Sequence, residues 1–333
     1  MSENDQTKEK QDRQFDEEQY QRLKRCSEKR DIADWNEWYK KNEGTLILLE
    51  GADLNRFCLE GANLLLANLK GAKLRRTNLK GANLLSANFE GAKLDYAELQ
   101  GASFAGNNFN GAKLRGTNLK GAFLNEAKFE SADLSWAELE DASLIRANFK
   151  GANLMQANLE GATLISAKLG GANIYQTYIQ NSNFMAVAVD GETLIWGCTD
   201  DAKTDFTGVA LDSARVEPIL KEKLKGNVRR MQWRRWCDKQ GWVMKKMGLI
   251  FWDISDYGRS TRQIAKWFWA WALIFAFIYL AWGLISPPGI IKDLMDINPE
   301  LSALRSIYFS VVTMTTLGFG DMHGDIVKCC VRH

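Results

Sequence analysis

Residues 313–321 read TMTTLGFGD, and their types suit one kind of chemistry, the holding of a bare cation by backbone oxygen. In the stretch Thr315, Thr316, Leu317, Gly318, Phe319, Gly320 and Asp321, the two glycines permit dihedrals that turn successive carbonyls to one side. The Thr316 hydroxyl adds one more oxygen. Four such strands around an axis would replace the water shell of a dehydrated ion. A lone G-F-G is a weak signal, so the elements that would hold it decide its meaning.

Upstream, Asn298 as N-cap and Pro299 at the first helical position start a helix, and Leu301, Leu304, Ile307, Tyr308 and Val311 follow at helical spacing. The helix is expected to end near Thr315, where the negative end of its dipole favours a cation. Before it, PPG at 287–289 breaks the chain, and residues 267–285, WFWAWALIFAFIYLAWGLI, carry no charge. Nineteen residues at 1.5 Å each span about 28 Å, enough for a transmembrane helix. Trp267, Trp269 and Trp271 at one end and Tyr279 and Trp282 at the other suit the two interfacial belts.

Arg229, Arg230, Arg234, Arg235, Lys239, Lys245, Lys246, Arg259, Arg262 and Lys266 all precede this span. Positive charge stays on the cytoplasmic side, so a single-pass membrane protein with a cytoplasmic N-terminal part is expected. Trp233, Trp236, Trp242 and Trp252 are interleaved with these cations. Arg229, Arg230, Trp233, Arg234, Arg235 and Trp236 therefore read as a helix lying on anionic lipid, in preference to nucleic acid.

The first two thirds of the chain is organised differently. From Leu54 to Val189 an apolar residue recurs every five positions without a slip, and a small residue, mostly Ala, sits two before each. Five residues turn a helix by about 500° and put successive side chains of a flat strand on opposite faces, so neither gathers the leucines together. A chain that turns a corner every five residues does, and that is a solenoid. Glycine recurs every ten residues from Gly51, which places it at alternate corners, where a type II turn demands positive φ. Residues 16–42 read as a helical cap, with Leu23, Ile32, Trp35, Trp38 and Tyr39 facing the first coil.

The A-(N/D/K)-L-x-x stretch resembles the pentapeptide-repeat family, which implies a right-handed quadrilateral β-helix, here of about seven coils. TMTTLGFGD and the elements before it resemble the pore region of two-transmembrane-type potassium channels, with signature T-x-G-Y/F-G-D. The order of the two resembles cyanobacterial-type fusions of repeat and channel. The resemblance implies that carbonyls of Thr316, Leu317, Gly318 and Phe319, with the Thr316 hydroxyl and Gly320, form a selectivity filter for potassium as the transported species. Thr315 and Asp321 would support that filter. Leu317 stands where the family usually has Val or Ile. The family also has a second transmembrane helix after the filter, whereas here MHGDIVKCCVRH follows, so the pore is expected to be truncated.

The expected organisation is therefore mainly β. It comprises a disordered start and capping helix (1–44), the β-helix (45–212), a basic Trp-rich helical segment (213–262), a transmembrane helix (263–286), and a turret, pore helix and filter loop (287–333). The leading function is a potassium-selective channel subunit, assembling as a homo- or hetero-tetramer, with a cytoplasmic repeat domain. The alternative is a non-conducting, membrane-tethered scaffold that binds a protein partner along the rod. Lys70, Lys73, Arg75, Arg76, Lys80, Lys113 and Lys120 balance Glu90, Glu98, Glu130, Glu138 and Glu140, so a DNA-mimicking surface is disfavoured and no nucleic-acid partner is expected. An enzyme is not expected, because His323 and His333 are the only histidines and no nucleophile-base set or phosphate loop is present. No cofactor is expected, and the six cysteines show no metal-ligand spacing.

Overall fold

A computed structural model describes residues 15–239, together with Ala270 and Leu273, both helical. The segments expected as a disordered start, a transmembrane helix (apart from Ala270 and Leu273), a pore helix and the filter residues Thr315–Asp321 lie outside the described residues. The chain divides into two compact units, Met1–Trp233 and Arg234–His333.

The five-residue repeat folds as a four-sided β-helix. Each coil takes twenty residues, because residue 48 pairs in parallel with 68, 53 with 73, 58 with 78 and 63 with 83, and so on along four ladders. The Asp53 ladder is the longest, with nine rungs ending at Arg215. At about 4.8 Å per coil, eight steps give a rod roughly 38 Å long.

One side shows why the sequence takes this form. Leu54 N–H donates to Lys73 O at 2.8 Å, Lys73 N–H to Ala52 O at 2.9 Å, and the corner residue Arg56 to Arg75 O at 2.9 Å. Within the corner, Phe57 N–H donates back to Leu54 O at 3.2 Å. The corner residue can aim its N–H at the next coil only from the left-handed region. Gly51, Gly61 and Gly71 have φ of 64–69°, as expected, but the intervening corners obey the same requirement: Arg56, Leu66, Arg76, Tyr96 and Trp136 have φ of 56–60°. Positive φ is thus a property of every corner and not of alternate ones. Each non-glycine corner gives up about 1 kcal/mol of backbone energy, which a net hydrogen bond of similar size offsets.

The outward residue between Ala and Leu is most often Asn because its side chain completes the corner. Asn78 Oδ1 accepts from Lys80 N–H at 3.0 Å, and Asn173 Oδ1 from Tyr175 N–H at 3.1 Å. Inside, the Leu, Phe and Ala positions are almost wholly buried. Phe89, Phe109, Phe129 and Phe149 stack down the rod with centroids 4.8–5.0 Å apart, the coil spacing itself. Where Thr replaces the small Ala, its hydroxyl donates to a carbonyl of the previous coil, as Thr117 Oγ1 does to Leu94 O at 2.9 Å. Asn107 occupies the same position and donates to Leu84 O at 2.7 Å, but its buried Oδ1 meets no donor.

The register holds through Ala188 and then slips, pairing Asn173 with Leu194 and Asn183 with Asp205. The inserted residues are absorbed by two D-x-x-T corners. Asp190 Oδ1 accepts from Thr193 N–H and from Gly171 N–H of the coil below, and Asp201 Oδ1 does the same for Thr204 and Asn181. The Gly171 N–H leads the interactions that hold the Asp190 carboxyl below its usual range. The coil closes with β1 (Leu194–Ile195) beside β2 (Arg215–Val216).

The N-terminal cap is two helices, α1 (Glu17–Lys29) and α2 (Ala33–Lys41), rather than one over 16–42. Arg30 adopts φ 52° and ends α1, and the turn lets the cap reach all four sides of the first coil. Gln19 accepts from Leu48 N–H and donates to Leu46 O, Tyr20 donates to Asp53 O, and Ser27 accepts from Cys58 N–H. Asn36 accepts from Asn63 N–H, and Trp35 Nε1 donates to Asn63 O at 2.8 Å. Side chains thereby satisfy the open sheet edge. At the other end, α3 (Pro218–Asp238) buries Leu220 and Leu224.

Replacing Trp35 by Ala removes a fully buried ring and the donor to Asn63 O, and is expected to destabilise the rod by about 3–5 kcal/mol in chemical denaturation. Asn107→Ala, which removes a buried acceptor without a donor, is expected to raise stability by about 1 kcal/mol, a few degrees in melting temperature.

Candidate functional site

The β-helix displays its chemistry by edge, and the two glycine-poor edges differ sharply. Between the Asp53 and Cys58 ladders the corner pairs are Asn55–Arg56, Arg75–Arg76, Asp95–Tyr96, Arg115–Gly116, Ser135–Trp136 and Met155–Gln156, ending in Tyr175–Gln176 and Trp196–Gly197. On the diagonally opposite edge the first corner residues are Leu65, Leu85, Ala105, Asn125, Ile145, Ile165 and Met185. The first is an arginine and aromatic edge; the second is largely apolar, with Leu66 and nearby Phe123 more than half exposed.

The arginine edge is a connected ladder. The Arg76 guanidinium lies 5.9 Å from the Tyr96 ring centroid and that of Arg115 lies 5.0 Å from Trp136. The Tyr96 ring lies over Gly116, where an added Cβ would meet it at 2.7 Å. Trp136 Nε1 donates to Gln156 Oε1 at 2.5 Å, and Gln156 Nε2 donates to Gln176 Oε1 at 2.8 Å. Beside it, the Asp53 ladder presents Lys73, Lys93 and Lys113. Lys73 pairs with Asp53 and Arg115 with Asp133, while Arg56, Arg75, Lys93 and Lys113 form no ion pair with the described residues.

The predicted basic and aromatic set lies on α3, and the structure divides it. Trp233 is only 3% exposed, so the expectation that it faces lipid does not hold: its ring is buried. Arg230 donates to Ala202 O at 3.3 Å and Asn227 Nδ2 to Asp201 O at 2.7 Å, so this part of the helix closes the last coil. Lys223 pairs with Asp200, and Lys221 and Lys225 with Asp212. Arg229 is half-buried, and Arg234 and Arg235 are exposed. The Trp236 side chain lies outside the described ones. The arginine edge escaped a reading in fives. Rows of twenty, one coil each, align Arg56, Arg76, Tyr96 and Trp136 in one column.

Three cysteines among the described residues are free thiols: Cys26, Cys58 and Cys198. Cys198 stands at a small-residue position, as Thr177 does one coil earlier, and its Sγ donates to Ile174 O at 2.9 Å. Burial, reinforced by Asp200 and Glu217, pushes this thiol up to about 12. Burial likewise raises Cys26.

The geometry defines a four-sided repeat rod, closed at both ends and distinct in chemistry from edge to edge. The family model for pentapeptide repeats matches in eight copies over residues 48–85, 82–121, 108–144 and 142–181, and a model described as ion channel matches residues 267–325. The chain thus carries pentapeptide repeats followed by an ion-channel-type domain. Among solved structures it is similar to HetL, a pentapeptide repeat protein involved in heterocyst differentiation regulation from the cyanobacterium Nostoc sp. strain PCC 7120, at 24% identity over 46% of this chain and 81% of that one, with a TM-score of 0.31. It is also similar to a pentapeptide repeat protein of the Arabidopsis thaliana thylakoid lumen, at 32% identity over 32% of this chain and 66% of that one, TM-score 0.25. A third is a trypsin-treated variant of QnrB1, a plasmid-mediated fluoroquinolone resistance protein, at 16% identity over 54% and 95% of the two chains, TM-score 0.29. No curated protein matches the chain. Among the described residues no helix is long and apolar enough to cross a membrane.

Because thiolate is the reactive species, iodoacetamide at pH 8 is expected to label half-exposed Cys58 in the folded protein while leaving Cys26 and Cys198 unmodified until denaturant is added. Mass spectrometry of the labelled peptides checks this.

Proposed function

We propose that the chain is a potassium-selective channel subunit, anchored in a membrane by residues 263–286, with its β-helix on the cytoplasmic side. The single observation that carries the reading is the match of residues 267–325 to ion channels, since that stretch contains TMTTLGFGD within it. In this reading the carbonyls of Thr316, Leu317, Gly318 and Phe319, the Thr316 hydroxyl and Gly320 strip and hold the ion. Thr315 and Asp321 brace the loop. Copies of the subunit, or the subunit with related partners, assemble as a tetramer so that four loops share one axis. Arg229, Arg234 and Arg235 lie toward anionic headgroups.

The repeat domain supplies docking rather than chemistry, because its ordered carboxylates pair with amides and lysines along the ladders. A second reading, a membrane-tethered scaffold without conduction, is favoured by the exposed apolar edge through Leu66, Leu85 and Phe123, which suits a protein partner.

Purified protein in liposomes tests the first reading. Rubidium or potassium uptake is expected to exceed sodium uptake by more than about tenfold, and Gly318→Ala to abolish it. Absence of flux leaves the scaffold.

A further inference from the structure

We infer that the arginine and aromatic edge of the β-helix is a second membrane contact, binding the anionic headgroups of a lipid surface. The inference rests on the membrane anchoring proposed above, and it concerns residues far in sequence from the anchor.

Four observations converge. The edge is a convex corner that runs coil after coil along the rod, a shape suited to a broad surface more than to an inserted peptide. Among its side chains are the two kinds that belong at a headgroup layer: cations that form no ion pair with the described residues, Arg56, Arg75 and, on the adjoining ladder, Lys93 and Lys113, and exposed amphipathic rings, Tyr96 and Trp136, which outnumber the acids Asp95, Asp53 and Asp133 set among them. These rings are held outward by left-handed corners with φ of 60° and 59°, a conformation in which a bulky residue is an outlier. The other three edges differ. One is largely apolar, and two carry glycine at most corners, with lysine and glutamate mixed beside it.

Charge reinforces the shape. Lys93 and Lys113 stand on adjacent rungs of the neighbouring side, so the cationic strip is wider than the corner. Juxtamembrane cations each contribute about fivefold to binding an anionic leaflet, and tethering holds the strip at high local concentration near it. Duplex nucleic acid would satisfy the cations but leave the tyrosine and tryptophan rings without a partner.

The test uses the full chain in nanodiscs of phosphatidylcholine, with or without phosphatidylglycerol, and measures acylation of each lysine by mass spectrometry. Lys93 and Lys113 are expected to react about fivefold more slowly in the anionic discs. Lys80 and Lys120, on a glycine edge, are expected to react equally in both. The difference is expected to vanish near 1 M salt, where screening shortens to about 3 Å, and in the double variant Arg75→Glu, Arg76→Glu. Equal Lys93 rates in the two discs, in protein that alkaline carbonate does not extract, overturn the inference and leave the anchor standing. Extraction by carbonate with protection retained on anionic vesicles upholds the edge and overturns the anchor. Loss of both overturns both. Protection of Lys93 by added duplex DNA but not by anionic lipid overturns the inference in favour of a nucleic acid.

Discussion

The hydrogen bond from each corner N–H to the coil above governs the β-helix. It forces left-handed backbone at every fifth residue, and that geometry fixes the rest: the side has five residues, the coil twenty, and the leucine of each side points to the axis. Only when the corner is so bent do the ladder bonds on either side meet their partners at 2.7–3.0 Å. The composition of the repeat then follows position by position. A small residue, mostly alanine, suits the position beside the wall, leucine or phenylalanine the position that fills the axis, and asparagine the position where the corner amide needs an acceptor.

A ladder that satisfies every internal coil leaves its first and last coils unsatisfied, and the flanking segments answer this need with different means. The N-terminal helices use neutral amide and hydroxyl side chains, Gln19, Ser27 and Asn36, with one indole. The C-terminal helix uses Asn227 and Arg230 on exposed carbonyls, with lysines paired to Asp200 and Asp212. A basic helix is therefore explained in part by what it closes. The same feature that reads as a lipid-seeking stretch in the sequence commits several of its polar groups to the end of the rod.

The five-residue period made the β-helix legible, since no other regular structure gathers residues at that spacing, and the glycines marked half of the corners. The other half was hidden because arginine, leucine, tyrosine and tryptophan carry no local mark of positive φ; a hydrogen bond one coil away imposes it. The break between α1 and α2 was hidden for a similar reason, as Arg30 is not a residue that announces a turn. The burial of Trp233 could not be read either, because an indole beside arginines suits a headgroup layer and a packed interior equally well. The filter-like stretch shows the opposite case: TMTTLGFGD is legible because its order of residue types is specific, although its work depends on neighbouring copies.

A four-sided coil also restricts how such a rod can change length. Adding twenty residues inserts one storey and leaves every column in line, whereas adding five would rotate all later columns by a quarter turn. Arginines above the insertion would then stand over a glycine corner below it. Gain or loss of whole sides is therefore quantised in fours, while a single extra residue, as at the D-x-x-T corners, is taken up locally and leaves the columns in line.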